Sequence, residues 1–125
     1  MQIDKDLNSE YAALFLDVRK YITQKIEELS TKLIEKYSQN ITTLYTKEFS
    51  SAFCYIRVKD NHVHIGWFNG AKIIDKFALL LGNGKQIRGH KVYKFDDASK
   101  EAISYYVKES YYRLIEKEAI KEMRK

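Results

Sequence analysis

Three groups of residues in this chain have types and spacings that could do chemistry. The first is Gly82-Asn83-Gly84-Lys85, followed by Arg88, with no acid before Asp96. Glycines give a turn access to positive φ. Successive backbone N–H groups in such a turn can form a nest for an anion. Lys85 would add a mobile point charge and Arg88 a planar fork. Spacing excludes two nucleotide motifs. A Walker A loop has four residues between its first glycine and Gly-Lys, then Ser or Thr for magnesium; here Gln86 follows Lys85. A dinucleotide fingerprint opens a helix, whereas a strand is expected here, and Gly89 comes too late for its third glycine. The expectation is a tight connection first, and second a weak phosphate or carboxylate site at Gly82, Asn83, Gly84, Lys85 and Arg88. Trp67 reads first as a core residue, and its position near Gly70 would also suit the wall of such a site. Residues three apart on a strand face opposite ways, so Lys85 and Arg88 converge only if the turn persists through Gln86.

The second group is His62, His64 and His90. His62 and His64 share one face of a strand, and three histidines could hold zinc with one position open. No carboxylate pattern supports them, so exposed strand histidines are the favoured reading and no metal ligand is assigned. The third group is Cys54 and the tyrosines of the last helix. Cys54 is the only cysteine, so it has no intramolecular disulfide partner. Within an apolar strand it reads as a small core residue rather than an activated thiol. Tyr105, Tyr106, Tyr111 and Tyr112 border a buried stripe, and their outer edge could pack against a second copy as a homodimer. No Ser, Cys, His and acid set is persuasive as a catalytic constellation. No cofactor is expected, and the chain reads as a binding or accessory protein rather than an enzyme.

The elements that must position these residues follow from hydrophobic spacing. Tyr11, Leu14, Phe15, Val18, Ile22, Ile26, Leu29, Leu33 and Tyr37 recur at steps of three and four. That spacing predicts helix to about Tyr37, started by Asn8 or Ser9 as cap, with a break at Ser30-Thr31. Ala52 to Lys59 and His62 to Phe68 alternate as two strands, joined by a tight turn at Asp60-Asn61. Cys54, Ile56 and Val58 share one face of the first strand; Val63, Ile65 and Trp67 share one face of the second. An apolar connector over 71 to 81 holds one helical turn, and Gln86 to Phe95 forms a further strand. Asp96 or Asp97 caps a long helix whose core face is Ile103, Val107, Ser110 or Tyr111, Leu114 and Ile120. The order implies one α+β domain over residues 1 to 125: an antiparallel meander with N-terminal helices and a long C-terminal helix on one face.

At 125 residues and 45% hydrophobic the chain suits one domain with a real core. The opening MQIDKDLNSE lacks the basic and apolar regions of a secretory signal, and no apolar run is long enough to span a bilayer. A cytoplasmic protein with no membrane partner is expected. Net charge of +5 invites an anionic partner. Much of the charge is mixed in sign, as in the helical pairs Glu28 with Lys32 and Glu109 with Arg113, so solvated helices are preferred to a nucleic-acid partner.

The stretch HVHIGWFNGAKIIDKFALLLGNGKQIR resembles the core of the bacterial YdhG-like family of short proteins, a domain of unknown function. The resemblance rests on Gly66-Trp67-Phe68, Gly70, Asp75, Leu80, Leu81, Gly82, Gly84, Lys85 and Arg88, with FCYI and EKYSQN upstream. It is strongest over residues 51 to 92. The family has a proline where this chain has NITTLYT. The resemblance implies an α+β fold and no established mechanism. Some relatives are described as frataxin-like iron chaperones, which implies an alternative role as iron or metal carrier. Glu10, Asp17, Glu27 and Glu28 lie among basic residues here, and no iron ligands carry over. A second alternative is a non-specific nucleic-acid binder.

Overall fold

A computed structural model describes residues 1 to 30 and 32 to 124. Helices α1 (Gln2–Leu7) and α2 (Ala12–Leu29) lead into strands β1 (Leu33–Tyr37), β2 (Thr42–Thr46), β3 (Cys54–Lys59), β4 (His62–Trp67) and β5 (Arg88–Val92). A single 3-10 turn, Gly70–Lys72, follows β4, and helix α3 (Asp97–Met123) ends the chain. The five strands pair in sequence order, each antiparallel to the next. The fold is the expected α+β meander, with the helices on one face of the sheet.

Strand alternation sorts the side chains. Leu44, Cys54, Ile56, Val63, Ile65, Trp67 and Val92 face the helices and are buried. They meet Phe15, Val18, Ile22 and Ile26 of α2 and Ala102, Ile103, Tyr106, Val107 and Leu114 of α3. Burial of each such Ile, Leu or Phe contributes roughly 1.5–3 kcal/mol, so this single layer supplies the main drive for folding. Among the described residues no helix is long and apolar enough to cross a membrane.

Several boundaries differ from the sequence expectation. The first helical region stops at Leu29, where Ser30 turns extended (φ −139°, ψ 158°). Leu33–Tyr37 is strand, paired in register from Leu33 with Thr46 to Tyr37 with Thr42. Leu29, Leu33 and Tyr37 are four apart and satisfy a helix, but Leu33, Glu35 and Tyr37 equally satisfy one strand face. Arg19 of α2 then ties β1 to the helix layer, its Nη2 2.8 Å from the Glu35 carboxylate. The expected break at Ser30-Thr31 falls partly on Thr31, which lies outside the described residues. NITTLYT, which has no proline, supplies β2, with Thr42, Leu44 and Thr46 inward. The last strand is shorter than expected, Arg88–Val92.

The caps also shift. The N-cap of α2 is Tyr11, and Ser9 Oγ accepts the Tyr11 N–H at 2.9 Å. Asn8 instead caps the end of α1, its side chain donating to the Asp4 carbonyl. Asp96 caps α3 as expected, accepting from Ser99 N at 2.9 Å. Ile120 is 42% exposed, because α3 has by then run past the core.

Helix α1 has a role that sequence spacing does not reveal. The pairing of β2 with β3 ends at Thr42 with Ile56, leaving Val58 without a strand partner on that side. Asp6 of α1 fills the gap: its buried carboxylate accepts the Val58 N–H at 2.8 Å and is itself held by Gln2 Nε2 at 2.8 Å.

Candidate functional site

The glycine loop is tied at its base. Leu81 and Gly89 exchange two backbone hydrogen bonds of 2.8 Å, and Ala71 N donates to Gln86 O at 2.9 Å. The chain bends through Lys85 and Gln86, and β5 begins only at Arg88. The turn therefore persists far enough for strand alternation not to separate Lys85 from Arg88. Gly82 uses its freedom, at φ +111°. A Cβ on Gly84 would lie 3.9 Å from Arg88 Nη1, and one on Gly70 would come within 2.6 Å of Arg88 Cβ. Arg88 Nη1 is buried without a hydrogen-bond partner. Trp67 stands opposite Arg88 in the register but is wholly buried, its indole N–H donating to His90 Nδ1 at 3.2 Å. The loop thus gathers Gly84 and Arg88, carries Gly82, Asn83 and Lys85 on its exposed rim, and leaves Trp67 beneath.

The three histidines do not converge. His90 pairs with Ile65 and faces the helices, whereas His62 and His64 face away from them. The sheet stands between, so the zinc reading fails on geometry. Among the described residues no group of three or more His, Cys, Asp or Glu is placed to hold a metal ion. His62 is also buried rather than exposed. Burial pushes the His90 pKa down to about 4, so it accepts from Trp67 as neutral imidazole. Cys54 is fully buried, and desolvation raises its thiol pKa. Tyr106 is buried and donates to Asp75, which also accepts from the N–H groups of Leu79 and Leu80. Tyr111 packs on Phe49 and Phe53, leaving Tyr112 as the most exposed of the four tyrosines on α3.

The face of the sheet turned away from the helices holds the largest organised set of side chains. Its outward positions are Ile34 and Lys36 on β1, Thr43 and Tyr45 on β2, Tyr55, Arg57 and Lys59 on β3, His62, His64 and Gly66 on β4, and Gly89 and Lys91 on β5. None is acidic. Two glycines shape this surface. A Cβ on Gly66 would fall 1.9 Å from the Tyr55 ring, and one on Gly89 would fall 2.8 Å from His64 Cε1. The missing side chains let both rings lie down on the sheet. Tyr55 Oη then meets His64 Nε2 at 3.2 Å.

From these two a row of rings runs across the face. Phe68 packs edge-on to Tyr55 at 5.9 Å between centroids, and Tyr55 lies 5.7 Å from His64. His62 continues it, 6.3 Å from His64 and 5.2 Å from Tyr93. His64 and Tyr93 flank His62, and that outward residue is only 3% exposed. Burial, then Arg57, Lys59, His62 and Lys91, push the His64 pKa down to about 4. His62 is lowered by burial and by Lys91. Near neutral pH the histidines are uncharged rings, and the positive charge resides on Lys36, Arg57, Lys59 and Lys91. Among the described residues none of these four is in an ion pair. Arg57 Nε and His64 Nδ1 have no protein partner.

Sequence reasoning assigned Tyr55, Arg57, Lys59, His62 and His64 to the face away from the core, but gave them no common task. The available signal was the acid-free outer set combined with Gly66 and Gly89, which only strand register places side by side. The chain matches no protein-family model, no curated protein and no solved structure.

Proposed function

We propose that this domain binds single-stranded nucleic acid on the open face of its sheet. The observation that carries the reading is the ring row from Phe68 through Tyr55 and His64, continued past the buried His62 to Tyr93, with four cations and no carboxylate at the outward strand positions. Unstacked bases have π faces that stack on such rings at roughly 1–3 kcal/mol per base, without needing a particular sequence. Phosphates spaced along the strand meet Lys36, Arg57, Lys59 and Lys91. A paired duplex hides its base faces, so it would gain only the charge contribution. The mixed-sign charge that argued against nucleic acid belongs largely to the helices, and the sheet face is a separate surface. The protein is read as a cytoplasmic binding protein rather than an enzyme. The YdhG-like resemblance contributes an α+β frame to this reading and no residue role.

Fluorescence anisotropy with a labelled 12-nucleotide strand at low salt tests the proposal. Binding should weaken steeply with salt, and the same sequence as duplex should bind less tightly. Equal affinity for strand and duplex would reduce the ring row to packing.

A second reading is favoured by one specific observation. The turn persists through Gln86 and leaves Arg88 without an acidic partner among the described residues. A small phosphate or carboxylate would sit between Arg88 and the Gly82–Lys85 rim. Phosphate titration followed by NMR should move the amides of Gly82, Asn83 and Gly84 together. Arg88→Ala should abolish the movement; an unchanged response in that variant would leave the loop as a turn.

A further inference from the structure

Beside the ring row, on the same outer face, is a recess of about 230 Å³. Its walls and floor are Lys36, Thr43, Tyr45, Ser50, Ala52 and Phe68. Lys36 and Thr43 are register partners on β1 and β2, and Thr43 is in turn opposite Tyr55 on β3. Phe68 belongs to both features, lining the recess and packing on Tyr55. A strand that leaves the row at Phe68 therefore arrives at the recess next.

We infer that the recess seats one unstacked nucleobase of the bound strand. The inference rests on the single-strand reading above and adds a defined subsite to it. Size favours a single ring system, since pockets for drug-sized ligands run about 300–1,000 Å³. Chemistry favours a base over an aliphatic group. Tyr45 and Phe68 provide aromatic surface, and the short side chains of Ala52 and Thr43 keep the floor low. Lys36 Nζ stands 5.2 Å from the Tyr45 ring centroid, which places a cation at the mouth where a seated nucleotide carries its phosphate.

The polar groups of the recess also define its selectivity. Ser50 is already engaged: its hydroxyl donates to Glu118 Oε1 at 3.1 Å and accepts from Lys121 Nζ at 3.1 Å. Those bonds hold the rim against α3 and leave Ser50 little capacity for a base edge. The Thr43 hydroxyl has no hydrogen bond among the described residues and is left to meet the base. A single hydroxyl that both donates and accepts can pair with a keto or an amino edge. The recess therefore selects for the presence of a base much more than for its identity.

The test uses the full chain and compares wild type with Ala52→Leu, which fills the recess and, of the ring row, can meet only Phe68, the ring the two features share. The probes are a 12-nucleotide strand and a set of strands each carrying one abasic position. Filling the recess should weaken the intact strand about 10-fold. It should change the salt slope by no more than about 0.7, the share of the one phosphate that Lys36 meets at the mouth, because all four cations are kept. Abasic strands that cannot fill the recess should bind wild type more weakly and Ala52→Leu no more weakly than the intact strand does. Tyr45→Ala removes a wall at an outward position and supplies the same readout if Ala52→Leu does not fold. A wild type that binds the strand while the folded variant binds it equally well overturns the recess and leaves the single-strand reading standing. A wild type that binds no strand at low salt overturns both.

Discussion

Gly66 and Gly89 do more for the proposed surface than any aromatic residue on it. Each is the empty position on which a neighbouring ring lies flat. Gly66→Ala places a methyl group where the Tyr55 ring now sits, and the ring must lift. Two consequences follow. Strand affinity should fall about 10-fold, the loss of one stacked base. His64, held down to about 4 first by burial and packed beside that ring, should titrate closer to 6.5. NMR titration of the His64 ring protons checks the second point, and an unmoved titration would contradict the flat packing of Tyr55. His90 gives a separate pH signature on stability. Its folded pKa is about 4 against an ordinary 6.5. Between those values the unfolded chain binds a proton that the folded domain refuses, so stability falls as pH drops from 6.5 to 4 and levels off below. Denaturant midpoints measured across that window should decline; His64, lowered equally, adds to the same decline, so His90→Gln, which cannot charge, should make it shallower without abolishing it.

At the scale of elements, the parts legible in the sequence were those with one periodicity available to them. The hairpin β3–β4 alternates cleanly, and its turn at Asp60 and Asn61, with Asp60 at φ +53°, was readable from residue type. The core stripe of α3 was readable down to Leu114. Strand β1 was not, because Leu33 and Tyr37 fit both a helix and a strand face, and only pairing with β2 and the Arg19–Glu35 contact decide between them. The outer surface was half legible: alternation showed which residues leave the core, but not which strands stand side by side. Helix α1 was illegible because long-range bonds anchor it, Asp6 to the Val58 N–H and the Gln2 N–H to the Gln39 carbonyl, rather than a periodic apolar face. Asp6→Ala would leave the partly buried Val58 N–H without its carboxylate partner. A loss of about 1 kcal/mol in unfolding free energy is expected. A denaturation curve that superimposes on wild type would show that the Asp6–Val58 bond adds nothing to stability.

For the whole molecule, the decisive property is that charge is sorted by surface. The helices mix signs, as in Lys25 with Glu28 and Arg113 with Glu116, while the sheet's outer positions carry cations and rings. A net charge of +5 understates that asymmetry. Contacts from four cations to phosphates predict a slope of about −3 for log K against log salt on single strands. Replacing Lys91 by Gln should make that slope shallower by roughly 0.7 without removing the stacking contribution. The most direct test of the account is one anisotropy titration of a 12-nucleotide strand at low salt, with wild type and Tyr55→Ala side by side. The account predicts binding by wild type and at least about a five-fold loss in the variant, the lower bound for one base–ring stack. Wild type that fails to bind, or a folded Tyr55→Ala variant that binds as wild type does, would contradict it.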